Sequence, residues 1–191
     1  RETLDELITD RIARLTDYQN AAYAERYRVF VERVRAAEIP LKKTLLSDTV
    51  ARQLYRLMAY KDEYEVARLH TQSSFLTRIQ NSFEGDFKLH YHLAPPLLAR
   101  RNGKGELVKQ KFGPTMQLVF KGLARLKGLR GTVWDVFGYT QERQTERALI
   151  GEYLQYVEAV ISELTADNHA HAVAVAQVPE NIKGFGHVKE R

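Results

Sequence analysis

Residues 3–37 read TLDELITDRIARLTDYQNAAYAERYRVFVERVRAA, and the spacing of their apolar side chains decides the fold class. Leu4, Leu7, Ile8, Ile12 and Leu15 recur at three- and four-residue intervals. After Thr16 the pattern resumes with Ala22, Tyr23, Tyr27, Phe30, Val31 and Val34. Intervals of that kind place one apolar stripe along a helix. The stretch predicts a long, bent helix from about residue 3 to 37, stopped ahead of Pro40 because the residue before a proline is pushed out of the helical region. Tyr18, Tyr23 and Tyr27 offer an apolar body and a polar tip, which suits a helix packing at a boundary, and core packing is expected ahead of a ligand site.

Outward from that stretch, Ser47 is suited to cap a helix over residues 48–59, with Val50, Leu54, Leu57 and Met58 on one face. A second helix is expected from Asp62 to His70. A third, capped by Ser73 or Ser74, would cover Phe75, Leu76, Ile79 and Phe83 and end at Gly85. The period then falls to two: Phe87, Leu89, Tyr91 and Leu93 alternate with Lys88, His90 and His92, as in a strand with one buried face. After the turn signal Asn102-Gly103-Lys104-Gly105, residues 106–112 can pair back, so a small hairpin is expected over about 86–93 and 106–112. Pro114 suits the first turn of a helix carrying Met116, Leu118, Val119, Phe120, Leu123 and Leu126.

Gly128, Gly131 and Gly138 break the segment around Trp134, Asp135 and Phe137 into turns. From Thr140 a helix bearing Leu149, Tyr153, Tyr156, Val157, Val160, Ile161 and Leu164 follows. A short last helix with Val173 and Val175 closes at Pro179. The fold class is therefore mainly α, with one small strand pair. Residues 1–37 read as a linking helix from a preceding domain, and 38–191 as a helical C-terminal domain. A start at Arg1 inside an apparent helix suggests a piece of a longer chain.

The chain has 191 residues, 44% of them hydrophobic, and no cysteine. It can bury a core of its own. Without cysteine there are no disulfides, no thiolate nucleophile and no cysteine-held zinc or iron–sulfur site. No apolar run reaches the length of a membrane span, and a cytoplasmic setting is the default.

Charge is local. Arg100, Arg101, Lys104, Lys109, Lys111, Lys121, Arg125, Lys127 and Arg130 face a single acid, Glu106, over 31 residues of a chain whose net charge is +5. Such a field attracts phosphates, acidic protein or nucleic acid and identifies none of them, and a solvated face is the plain alternative. Nucleic acid is the weaker reading, since few aromatics interleave the cations for stacking.

His90 and His92, two apart on a strand, share a face, with Glu84 and Asp86 just upstream. That set permits a metal but lacks a spacing that fixes three or four ligands, so no metal is assigned. His169 and His171, two apart on a helix, point to nearly opposite sides. No phosphate loop, dinucleotide fingerprint or nucleophile elbow is present.

Five strings, LTDYQNAAY (15–23), LMAYKDEYEVARL (57–69), FEGDFKLHYHLAPPLLARR (83–101), LARLKGLRG (123–131) and FGYTQER (137–143), resemble the C-terminal region of fused bacterial indolepyruvate:ferredoxin oxidoreductases, of the 2-oxoacid:ferredoxin oxidoreductase superfamily. The resemblance implies a parent enzyme that oxidatively decarboxylates aryl pyruvates to acyl-CoA. It would use thiamine diphosphate with Mg2+, iron–sulfur clusters, CoA as co-substrate and ferredoxin as electron acceptor. None of the motifs for that machinery lies in this segment, and no catalytic residue carries over.

The resemblance thus implies a non-catalytic accessory or scaffold domain that packs on the catalytic domains of the same, homo-oligomeric enzyme, with the tyrosine-rich helices as contact surface. The 100–130 segment would steer ferredoxin or CoA. The alternative is an independent anion- or nucleic-acid-binding helical module.

Overall fold

The computed structural model describes residues 2–71, 77, 81–82, 90–93, 110–113 and 115–181. Among them are seven α-helices and one two-stranded sheet: α1 (Leu4–Tyr18), α2 (Ala21–Glu38), α3 (Leu45–Met58), α4 (Glu63–Thr71), β1 (Tyr91–Leu93), β2 (Gln110–Phe112), α5 (Met116–Arg125), α6 (Gln141–Ser162) and α7 (His169–Ala176). The mainly helical class read from the sequence is what the structure has. Two compact units share the elements, one of residues 1–60 with 141–191, the other of residues 61–140. Both sides of residue 37 lie in the first unit, where α1 and α2 contribute to one core.

In that unit the single helix expected over 3–37 is two. Thr3 and Glu6 form a reciprocal capping box at the start of α1. The second helix begins at Asn20, whose side-chain oxygen accepts from the Tyr23 amide at 2.9 Å. A residue that reads as a polar position inside a helix is thus the cap that breaks it. The two halves pack on one another and on α3.

Tyr18, Tyr23 and Tyr27 are buried, as core packing requires, and do not form a contact surface. Their phenols donate to main-chain carbonyls of and just beyond α3: Tyr18 to Tyr60 at 2.8 Å, Tyr23 to Met58 at 2.9 Å and Tyr27 to Ala51 at 3.0 Å. The Met58 and Tyr60 carbonyls, at and just beyond the helix C-terminus, lack an intrahelical partner and take up the buried phenols of Tyr23 and Tyr18, whereas the Ala51 carbonyl, inside α3, receives the Tyr27 phenol on its second lone pair.

α3 is the hub. Leu46, Val50, Ala51, Leu54, Leu57 and Met58 are buried against α1, α2, α6 and α7. Truncating Leu54 there would cost about 2–5 kcal/mol. Ile150, Tyr153 and Val157 supply the inward face of α6, whereas Tyr156, placed in the same stripe by the sequence, is exposed. Tyr153 donates to the Ala176 carbonyl at 3.0 Å and so ties α6 to the end of α7.

The second unit is built on α4 and α5. Ala67 and Phe120 form its buried centre, with Met116 and Leu123 packed against them. β1 and β2 pair antiparallel, with Tyr91 opposite Phe112, His92 opposite Lys111 and Leu93 opposite Gln110. These strands fall inside the expected 86–93 and 106–112. The helix expected over Phe75 to Phe83 lies outside the described residues, apart from Thr77, Asn81 and Ser82, which are helical. No described helix is long and apolar enough to cross a membrane.

Candidate functional site

The nine cations singled out from the sequence do not share one environment. Arg100, Arg101, Lys104 and Lys109 lie outside the described residues, as do Glu84 and Asp86. Lys111 is exposed on β2, and Lys121 and Arg125 are exposed on α5. Lys127 is half-buried in the 3-10 turn Leu126–Leu129.

Arg130 departs from the expected solvated face, being 3% exposed and paired through two nitrogens with the equally buried Asp62. Its guanidinium carbon stands 5.6 Å from the centre of the Tyr64 ring. A buried guanidinium without its carboxylate would be strongly unfavourable, so this cation holds the fold and is withdrawn from the docking set. His90 is exposed, and the backbone of His92 pairs with that of Lys111 in the strand ladder. No group of three metal-ligating side chains occurs among the described residues.

Around Arg130 the turn segment is tied together from within. Asp62 both receives Arg130 and caps α4, its Oδ1 accepting from the Glu65 amide at 2.8 Å. Asp135, 2% exposed, accepts from the amides of Gly131 at 2.7 Å and Gly138 at 3.0 Å, and from the Tyr64 hydroxyl at 3.2 Å. Burial pushes the Tyr64 phenol well above its ordinary value of 10, and the charge and hydrogen bond of Asp135 push the same way. Phe137 meets the Tyr64 ring edge-on at 5.3 Å. Gly131 has φ +75°, a backbone conformation that glycine adopts without penalty.

The first unit holds a second buried polar cluster, centred on Glu38. One carboxylate oxygen accepts from the Leu46 amide at 2.8 Å and from His169 Nε2 at 2.6 Å. The other accepts from the Ser47 amide at 2.8 Å and the Ser47 hydroxyl at 2.5 Å. A carboxylate only accepts, so Nε2 of His169 carries the proton.

Ser47 was expected to cap the helix. Instead α3 begins three residues earlier, at Leu45, and Glu38 supplies the side-chain acceptor for its second and third amides. A carboxylate at a helix N-terminus is favoured by both the free amides and the dipole. Desolvation works to raise the Glu38 carboxyl, but the hydrogen bonds from His169, Ser47 and Leu46 outweigh it and hold the group below its ordinary 4.5. As the sequence suggested, the two histidines of α7 diverge: His169 is buried and His171 exposed.

Sequence reasoning missed Glu38, Asp62 and Asp135 as fold-determining groups. The only local signal was an isolated acid beside a helix boundary or between glycines. Among the described residues of the second unit, Lys61, Lys111, Lys121 and Arg125 are exposed, and so are the apolar side chains of Val133, Trp134, Val136 and Tyr139 in its turn segment.

The fold and these clusters define a mainly helical domain whose buried ionisable groups are spent on helix starts and turns. The chain belongs to DUF6537, a family of unknown function, which it matches over residues 4–191. No curated protein and no solved structure matches it.

Proposed function

We propose that the chain is a non-catalytic accessory domain of a cytoplasmic indolepyruvate (2-oxoacid):ferredoxin oxidoreductase, packing on the catalytic domains of the same enzyme. The carrying observation is where the family-like strings fall. LTDYQNAAY (15–23) makes the corner between α1 and α2, with Tyr18 and Tyr23 buried. LMAYKDEYEVARL (57–69) supplies Met58, Tyr60, Asp62 and Tyr64, and LARLKGLRG (123–131) supplies Arg130. These are residues whose polar atoms hold the main chain in place, which suits a scaffold. The cysteine-free sequence likewise offers no thiolate for an iron–sulfur cluster, so the thiamine diphosphate, Mg2+, clusters and CoA of the parent reaction belong to other domains on this reading.

The basic segment would then steer acidic ferredoxin, or the phosphates of CoA, by its field. Two measurements on the full-length polypeptide test the reading. Aryl-pyruvate- and CoA-dependent ferredoxin reduction is expected from the whole polypeptide and not from the isolated 191 residues. Turnover by the isolated chain, or none by the whole, would overturn the assignment. Reversing Arg100, Arg101, Lys121 and Arg125 is expected to lower kcat/KM for ferredoxin and flatten its salt dependence, with KM for the keto acid unchanged. Arg130 is left intact because its reversal would unfold the turn. Unchanged kinetics would remove steering and leave packing alone.

A further inference from the structure

Within seven residues of the second unit, four large apolar side chains face water: Val133 is 77% exposed, Trp134 74%, Val136 59% and Tyr139 65%. The backbone that presents them is fixed from below. Asp135 gathers the Gly131 and Gly138 amides and the Tyr64 hydroxyl, and its own amide donates to the Thr132 carbonyl at 3.1 Å. The Thr132 hydroxyl donates to the Leu129 carbonyl at 2.7 Å and accepts from the Trp134 amide at 3.2 Å. The Tyr139 hydroxyl donates to the Val133 carbonyl at 2.9 Å, closing the loop on itself. A turn so tied loses little further freedom when something binds it, and an exposed Trp beside a Tyr is the composition of a binding hot spot.

The electrostatics choose the partner. The second unit carries thirteen Lys and Arg against seven Asp and Glu, a net +6. Among its described residues Asp62, Glu65 and Asp135 are buried and Glu63 is half-buried, while Lys61, Lys111, Lys121 and Arg125 are exposed. Every exposed charge among those residues is thus a cation. We propose that the Val133–Tyr139 loop, with Trp134 as its anchor, docks an acidic protein surface: an apolar patch that receives the indole, on a face whose carboxylates are drawn by the unit's excess of exposed lysines and arginines.

Three other occupants fit less well. A second copy docked through the same face would set +6 against +6. A nucleic acid would stack on Trp134 and Tyr139 but has no apolar surface for Val133 and Val136. A bilayer would ask for a continuous apolar helix face, yet α5 turns Met116, Phe120 and Leu123 onto α4 and exposes Leu118 and Val119 together with the charges of Lys121 and Arg125. The inference stands apart from the oxidoreductase reading, because it uses only exposure, backbone bonding and charge.

Trp134 is the sole tryptophan, so selectively excited tryptophan fluorescence of the 191-residue chain reports on this loop alone. Titration with a synthetic amphipathic helix bearing leucines flanked by glutamates is expected to shift the emission to the blue, saturably and with reversal at high salt. The same peptide with lysines for glutamates is expected to leave it unchanged. By anisotropy of the labelled acidic peptide, Trp134→Ala and the pair Lys121→Glu with Arg125→Glu are each expected to weaken binding at least about tenfold. Circular dichroism of both variants is expected to match the parent. The proposal is overturned by no shift with the acidic peptide, by equal binding of the lysine peptide, or by loss of folding without loss of affinity per folded molecule. A shift produced instead by phosphatidylserine vesicles, by a single-stranded oligonucleotide or by raising protein concentration alone also overturns it.

Discussion

His169 on α7 donates through Nε2 to the Glu38 carboxylate at the end of α2 at 2.6 Å, joining residues 131 positions apart at the point where α3 begins. The same carboxylate accepts the Leu46 and Ser47 amides, so one buried anion starts a helix and fastens another. Glu38→Ala strands the Leu46 and Ser47 amides and His169 Nε2 without an acceptor and is expected to cost about 3–5 kcal/mol, and Glu38→Gln about 1–3 kcal/mol. Because the folded carboxyl lies below 4.5, its stabilising contribution is fully present above that pH and is lost as pH falls through the folded value. Urea midpoints at pH 7 and at pH 3 check this: the gap between the parent chain and Glu38→Gln should be narrower at the second than at the first.

That cluster also marks what a sequence can and cannot disclose. Stripes such as Leu4, Leu7, Ile8 and Leu15, or Val50, Leu54 and Leu57, are legible because burying them requires only a local period. The break at Asn20 is not, since an Asn fits both a helix surface and a cap, and packing against α3 decides which. Nor is the cap of α3, because the acceptor is Glu38 from another helix, while the nearby Ser47 hydroxyl donates to it. Within the candidate site, charge density flagged Lys111, Lys121, Arg125 and Arg130 alike. Only the position of Asp62, 68 residues away, separates the buried Arg130 from the rest. Trp134 and its glycine-flanked turn were visible as a turn, but exposure of the indole is a tertiary property.

Arg130 and Asp62 predict a second asymmetry. Arg130→Met alone strands a buried carboxylate and is expected to destabilise the second unit by about 3–5 kcal/mol. Combined with Asp62→Asn, which removes the stranded charge and keeps an oxygen for the Glu65 amide, it should regain more than half of that loss. Lys121→Glu and Arg125→Glu, on the exposed face of α5, should each stay within about 0.5 kcal/mol. Urea unfolding of the four variants measures all of these, and equal destabilisation by Arg130→Met and Arg125→Glu would show Arg130 to be an ordinary surface cation.

His70 gives the second unit a pH dependence at a different place on the scale. Its ring stacks on Phe120 with centroids 5.2 Å apart and planes 13° from parallel, and burial lowers its pKa below the ordinary 6.5. A base held neutral by burial takes up its proton more readily once unfolded, so stability is complete above pH 6.5 and declines as pH falls below it. His70→Phe should flatten the stability of this unit between pH 7.5 and 5 while keeping the stack. Amide hydrogen exchange in α4 and α5 at the two pH values is the direct measurement, and an unchanged slope in the variant would assign the pH dependence to other groups.

Gly131 isolates a backbone contribution. A Cβ built there meets nothing within 4 Å, so substitution introduces no clash, but φ +75° remains a conformation that residues with side chains resist. Gly131→Ala is therefore expected to cost about 1–2 kcal/mol, and Gly131→Asn less, since Asn tolerates the left-handed region. The Gly131 amide also donates to Asp135, and relaxing φ toward negative values would pull that donor off the carboxylate and loosen the turn beneath Trp134. The two effects should therefore move together: across Gly, Asn and Ala, acrylamide quenching of the Trp134 fluorescence should rank in the same order as the loss of stability. A stable Gly131→Ala variant with unaltered quenching would mean that the turn holds its shape without the glycine.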